Sequence, residues 1–346
     1  MSSTRAMAPV IPCKLSIERA DRLLAEFGKP TLTEIAKAAS EASFSDELMI
    51  LGGSLGLGLG NEKSDIDVLL VNPGVPARSP GPFQFFADGE RIEIVRIDLT
   101  YLRSVVRELS RALGRSEPIG LPHAEARLLS RVAHGCRMGG PPLDAGFESA
   151  LARTCHLATI QRSAESARQH GLVAALALEQ EDELIASWNA RGAIEAILQR
   201  DVLRSGLPYA GSKWLTEQLA MLECGAAIRP LLQLPRPGDR QAYLTDCLAV
   251  IADSLDTPAT IPGLGETARW DTAGLGHYHL PGADVLVQQE HNAVIELAAD
   301  AGPAWAELSC RPEQPIGGET RSVRDVAWQL YVRGLAGIRW ENGGRQ

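Results

Sequence analysis

The chain has 346 residues, a net charge of −9, 45% hydrophobic residues and 22% charged ones. This composition excludes a disordered chain, and six scattered cysteines without a CxxC pair exclude a disulfide scaffold and a zinc knuckle. The acidic balance argues against a broad duplex nucleic-acid surface, and no window offers the roughly 18 apolar residues of a membrane span. With no secretory-length apolar run near the N-terminus, the expectation is a cytoplasmic protein with reduced thiols and two or three domains.

In chain order, residues 15–43 read as one or two helices broken at Pro30, with Thr31 and Glu34 as a capping box. Leu48 to Leu51 reads as a short strand, Gly52 to Gly60 as a glycine-rich loop, and Ile66 to Val71 as a second, nearly all-apolar strand. A Pro/Gly loop over 72–82 precedes a third strand, Arg91 to Leu99, and a helix from Tyr101 to Leu113. Gly135–Pro142 reads as a boundary. It is followed by a helical stretch over 146–206 and helices at 212–223 and 240–255, the pattern of an antiparallel bundle. Thr257 to Glu266 reads as a second linker. The last 80 or so residues read as short strands, two helices over 301–308 and 323–332, and a terminal strand, a winged-helix-like arrangement. The expected architecture is an α/β core over 1–140, an α-helical bundle over 141–258 and a small α+β module over 266–346.

The segment that carries chemistry is Gly52-Gly53-Ser54, ten residues, then Asp65-Ile66-Asp67 entering the apolar strand. Asp65 and Asp67 are two apart, so on a strand both carboxylates face one way. Two adjacent carboxylates repel unless a cation lies between them, and a hard cation such as Mg²⁺ takes oxygen ligands and shares substrate phosphates. Gly52 and Gly53 let backbone N–H groups approach a phosphate, and the Ser54 hydroxyl adds a donor. The parts together predict phosphoryl or nucleotidyl transfer by a two-metal route.

GGS-x10-DID before an apolar strand resembles the signature of the DNA polymerase β-type nucleotidyltransferase superfamily, which includes kanamycin-type antibiotic nucleotidyltransferases. The resemblance spans about residues 45–100 and extends loosely into the bundle. It implies an α/β nucleotidyltransferase core, two Mg²⁺ ions held by Asp65 and Asp67, an NTP substrate (ATP favoured) and pyrophosphate release. It also implies a third carboxylate from a neighbouring strand, as metal ligand or general base. Glu93, flanked by isoleucines, fits the hydrophobic–acid–hydrophobic pattern; Asp98, at the strand end, competes and could instead cap the next helix. The alternating Leu55–Gly60 loop departs from relatives, which often place a basic or polar residue there, and Lys63 beside it reads as solvated. Gly211-Ser212-Lys213-Trp214 resembles a lysine–tryptophan element of antibiotic-type enzymes. Lys213 is therefore a candidate triphosphate contact at the start of a helix. Arg191 and Arg200, on a long helix, read as salt-bridged surface residues.

Residues 270–340 weakly resemble PqqD-like peptide-binding modules, which implies a leader peptide along an exposed edge strand. The other reading is a structural cap with Trp305, Trp328 and Trp340 as its core. His277 and His279 alternate on a strand without metal-ligand spacing. The functional expectation is a nucleotidyltransferase acting on a hydroxyl of a small molecule or peptide, as in antibiotic modification or natural-product tailoring. The alternative is a catalytically incomplete scaffold that binds a peptide. Polymerisation on a nucleic-acid end is disfavoured by the absence of a basic surface.

Overall fold

The computed structural model describes residues 14–41, 43, 47–72, 83–87, 89–115, 119, 121–222, 225–272, 275–280, 283–288, 293–298 and 301–340. The chain divides into two compact units, one of Met1–Ser163 with Leu198–Ala226 and one of Ala164–Ile197 with Ala227–Gln346.

The elements in chain order begin with helices α1 (Lys14–Glu26) and α2 (Leu32–Glu41), strand β1 (Leu48–Leu51) and the one-turn helix α3 (Gly53–Gly56). Strands β2 (Ile66–Asn72), β3 (Phe83–Ala87) and β4 (Glu90–Asp98) follow, then helices α4 (Leu99–Arg115) and α5 (His123–His134) and strand β5 (Cys136–Gly139). Two long helices come next, α6 (Ala145–Glu179) and α7 (Glu183–Arg204), then α8 (Leu215–Leu222), α9 (Arg240–Leu255) and the short α10 (Ile261–Gly265). The chain ends with β6 (Ala268–Asp271), β7 (Leu275–Leu280), β8 (Ala283–Gln288), β9 (Ala293–Leu297), α11 (Gly302–Cys310), α12 (Arg321–Val332) and β10 (Gly337–Trp340).

The first unit is built on a mixed five-stranded sheet of order β3-β4-β2-β1-β5. β2 and β4 run parallel, whereas β1–β2, β1–β5 and β3–β4 pair antiparallel. Both faces are covered, which explains the almost continuous apolar run of β2. Its even positions Ile66, Val68 and Leu70, with Ile92 and Ile94 of β4, pack against Ala20 and Leu24 of α1 and Ile35 and Ala39 of α2. Its odd positions Leu69 and Val71, with Ile97 of β4, pack against Leu102, Val106 and Leu109 of α4 and Leu129 and Val132 of α5. The capping box forms as expected: the Thr31 amide donates to Glu34 Oε2 at 2.8 Å, and the Glu34 amide donates back to Thr31 Oγ1 at 3.3 Å.

Several expectations change in the structure. Gly135–Pro142, read as a boundary, contains β5, an edge strand whose partner is β1. Its composition looks like a linker because the strand is four residues long, three of them paired, with glycines at its ends. β3 and α5 are additional elements that the sequence pattern does not signal. The glycine-rich loop contains a helical turn, α3, and the 146–206 stretch is two helices broken at 180–182. The second linker contains α10, with the Thr260 hydroxyl accepting from the Gly263 amide as an N-cap. The three segments read from composition do not coincide with the two compact units, since α6 and α7 each contribute residues to both.

In the second unit, α7 lies close against α6 at Gly192, where an added Cβ would meet the His170 ring at 3.0 Å. His170 Nδ1 lies 3.2 Å from Asn189 Oδ1. Arg324 of α12 donates two hydrogen bonds to the Glu179 carboxylate, each of 3.0 Å, and Gln180 donates to Asp325 at 2.6 Å. β6 pairs with β10, and β7-β8-β9 form a separate antiparallel meander. Trp270, Trp305 and Trp328 are buried, as the structural-cap reading expected of the last two, whereas Trp340, its third member, is only half-buried.

Candidate active site

Position along the sheet assembles the acidic residues. In the parallel β2–β4 ladder, Asp67 lies directly beside Glu93, so the two side chains leave the same face on adjacent strands. This is the face that carries Leu69, Val71 and Ile97 beneath α4 and α5; Asp67 is the second residue of β2, and Glu93 stands inside β4. Asp65 shares Asp67's parity one step before β2 begins. Asp98 has the opposite parity from Glu93, and its Oδ1 accepts the Thr100 amide at 2.7 Å, which makes it a cap at the start of α4. Register therefore puts Glu93, and not Asp98, beside Asp67.

The glycine pair is fitted to Asp67. The Gly52 amide donates to the Asp67 carbonyl at 2.7 Å. Gly53 has φ +59°, and a Cβ built on it would fall on Asp67 Oδ2 and lie 2.8 Å from the Asp67 Cγ. Only glycine fits there on both counts. Ser54 sits in the α3 turn and donates to Ser64 Oγ at 3.1 Å. Ser64 in turn accepts the Asn61 amide at 2.9 Å, so the return from loop to strand is tied.

The carboxylates have cationic neighbours that the sequence reading missed. Arg91 Nη2 is 2.9 Å from Asp65 Oδ2, and Arg131 Nη2, on α5, is 3.7 Å from Asp67 Oδ2. Burial pushes the Asp67 carboxyl above the usual carboxylate range. Arg131 opposes that shift, Glu93 and Asp65 add to it, and Arg127 opposes it again. Arg127 and Arg131 were visible in principle as an i, i+4 pair on an amphipathic helix. That helix lay in a stretch read without assigned structure.

Asp65, Asp67 and Glu93 offer oxygen donors alone, the set a Mg²⁺-sized cation takes. The Gly53 backbone, with no Cβ, lies directly against the Asp67 carboxylate, in the space that any side chain would fill. In donor chemistry the residues fit such an ion. As they stand, no three His, Cys, Asp or Glu side chains among the described residues converge closely enough to hold a metal, and Asp65 is turned to Arg91.

The remaining candidates divide. Lys213 lies in a three-residue 3-10 turn, Ser212–Trp214, and not at the first turn of an α-helix. Its ammonium sits 4.9 Å from the centre of the Trp214 ring. Trp214 packs in a small buried cluster with Leu57 and Leu59, so the Lys213 element abuts the loop that follows Ser54. The alternating leucines thus have a packing role. Lys63 is exposed, as expected. Arg200 is buried, contrary to the surface reading, and lies 3.6 Å from Asp201. Arg191 belongs to the second unit and donates to the Leu232 carbonyl at 2.7 Å.

No protein-family model and no curated sequence matches the chain. Among solved structures it is similar to a nucleotidyltransferase-like protein from Exiguobacterium sibiricum 255-15, with 11% identity and a TM-score of 0.30. The match covers 76% of this chain and 95% of that one. A likeness of this size defines neither activity nor substrate. No helix among the described residues is long and apolar enough to cross a membrane.

Proposed function

We propose that the first unit is a Mg²⁺-dependent nucleotidyltransferase. The observation that carries this reading is the Asp67–Glu93 pairing across the parallel ladder, beneath a Gly52-Gly53 turn moulded to Asp67. The favoured donor is ATP, and the acceptor is a hydroxyl on a small molecule or peptide. Asp65, Asp67 and Glu93 would hold two Mg²⁺ ions, which supply charge neutralisation for the attacking and leaving oxygens. The Gly53 and Ser54 amides face the phosphates, the Ser54 hydroxyl turns from Ser64 to join them, and Lys213 reaches the triphosphate from beside the loop. Glu93 takes the proton of the acceptor hydroxyl as its oxygen bonds the α-phosphorus. The α–β phosphoanhydride bond breaks, and pyrophosphate leaves. A peptide acceptor would give the module over 270–340 a role in holding its leader. Antibiotic modification and natural-product tailoring are contexts that need such a transfer.

The test is calorimetry of ATP with Mg²⁺ on the native chain and on Asp65→Ala/Asp67→Ala. Metal-dependent binding of one ATP by the native chain, lost in the double variant, is the expected result; pyrophosphate release then identifies acceptors. Absence of ATP binding to the native chain refutes the reading. A second reading, a non-catalytic scaffold, draws on the Arg91–Asp65 and Arg131–Asp67 pairs. It predicts that Asp67→Ala keeps full biological activity.

A further inference from the structure

His123, Arg127 and Arg131 recur every four residues on α5, so they form one stripe along the helix. At 1.5 Å of rise per residue, the stripe is about 12 Å long. Its two ends are fixed to the two halves of the candidate site. At the C-terminal end, Arg131 lies 3.7 Å from Asp67, and its Cβ is 3.7 Å from where a Cβ on Gly52 would stand. At the N-terminal end, the His123 ring lies 3.6 Å from the Cβ position of Gly211, two residues before Lys213. Arg127 stands between them, exposed, and its charge acts on both Asp67 and His123.

The histidine end is held from behind. Tyr209 Oη lies 2.8 Å from His123 Nδ1 and accepts from Arg162 Nη1 at 3.3 Å. Arg162 also donates to the Leu121 carbonyl at 2.8 Å. Arg162 can only donate, so it holds the Tyr209 oxygen in place beside His123 Nδ1. The other ring nitrogen, Nε2, lies 3.9 Å from the Cβ position of Gly211. Two guanidinium groups and an imidazole ring thus follow one another along α5 between Asp67 and Gly211. Guanidinium matches phosphate oxygens in bidentate geometry.

We infer that this α5 stripe is the platform for the polyphosphate chain of the nucleotide, with Arg131 moving from Asp67 to a phosphate when substrate binds. The inference rests on the nucleotidyltransferase reading and deepens it. An extended triphosphate fits a path of about 12 Å, and α5 supplies the positive charge that the leucine–glycine loop lacks. Arg131 then has two states. Without substrate it neutralises Asp67, and with substrate it binds phosphate and leaves the carboxylate to the cation.

The test uses the full chain and two probes, inorganic triphosphate without metal and ATP with Mg²⁺, titrated by calorimetry. The variants are Arg127→Gln, Arg131→Gln, Arg131→Lys, the control Arg111→Gln on α4, and Asp65→Asn/Glu93→Gln. Arg127→Gln and Arg131→Gln are each expected to weaken triphosphate binding about tenfold or more, the loss of one charge-assisted contact. Arg131→Lys should recover part of it, and Arg111→Gln should match the native chain. Arg127 is exposed, so it reports on the stripe even where an Arg131 variant fails to fold. Native-like triphosphate affinity in both glutamine variants overturns the inference. Loss of metal-dependent ATP binding in the acidic variant then still supports the nucleotidyltransferase reading. Native chain that binds neither probe overturns both.

Discussion

Gly53→Ala is the sharpest perturbation of the site. Two costs act at once. The residue sits at φ +59°, where a Cβ costs about 1–2 kcal/mol. The new methyl also overlaps Asp67 Oδ2 and Cγ, so the carboxylate must leave its rotamer at about 0.5–1.5 kcal/mol. The sum is about 1.5–3.5 kcal/mol, or a lowering of the first unit's melting temperature by about 3–14 °C at 2–4 °C per kcal/mol. Gly28→Ala separates the two costs. Gly28 has φ +62°, and nothing lies within 4 Å of its Cβ position, so it carries the backbone cost alone. Denaturant unfolding of both variants, with ATP·Mg²⁺ titration alongside, gives the difference. The expected outcome is a Gly53→Ala chain about 0.5–1.5 kcal/mol less stable than Gly28→Ala and without metal-dependent ATP binding, while Gly28→Ala binds normally. Equal stability of the two, with ATP binding intact in Gly53→Ala, would refute the fit of the glycine turn to Asp67.

Three further outcomes are expected. The ionised Asp67 carboxylate is disfavoured by burial, so at neutral pH its charge costs stability; Asp67→Asn should unfold at equal or higher denaturant than the native chain yet lose Mg²⁺-dependent ATP binding. A less stable Asp67→Asn chain would contradict this. Burial and the neighbouring His156 lower the His134 pKa to about 4. The unfolded chain therefore binds the extra proton first, and stability should fall as pH drops from about 6.5 toward 4, by no more than about 3 kcal/mol. His134→Gln should flatten that part of the stability–pH curve. Trp214→Ala should cost about 3 kcal/mol by emptying the cluster with Leu57 and Leu59, and should weaken ATP binding through the loop that follows Ser54. Native stability in Trp214→Ala would remove the packing role given to the alternating leucines.

The strands of the candidate segment were legible because their signals are local. The period-2 rule places Asp65 and Asp67 on one face whatever the partner strand is. An apolar run through both parities of β2 requires cover on both sides, which α1 and α2 on one face and α4 and α5 on the other provide. The Thr31–Glu34 box and the strand–helix order of the C-terminal region depend on neighbours a few residues away. What lay beyond sequence was set by pairing over long separations. β5 reads as a glycine-rich linker, and it is a strand only because β1 offers a free edge. Both Glu93 and Asp98 are acids on one strand. The parallel alignment of β2 with β4 brings Glu93 beside Asp67, and strand parity turns Asp98 to cap α4. Arg127 and Arg131 look like ordinary helix-surface charges until the packing of α5 on the sheet carries them to the carboxylates. The sequence determines which side chains share a face, since that follows from backbone period. Which faces meet depends on burying two apolar surfaces at once, and the tertiary structure alone decides it.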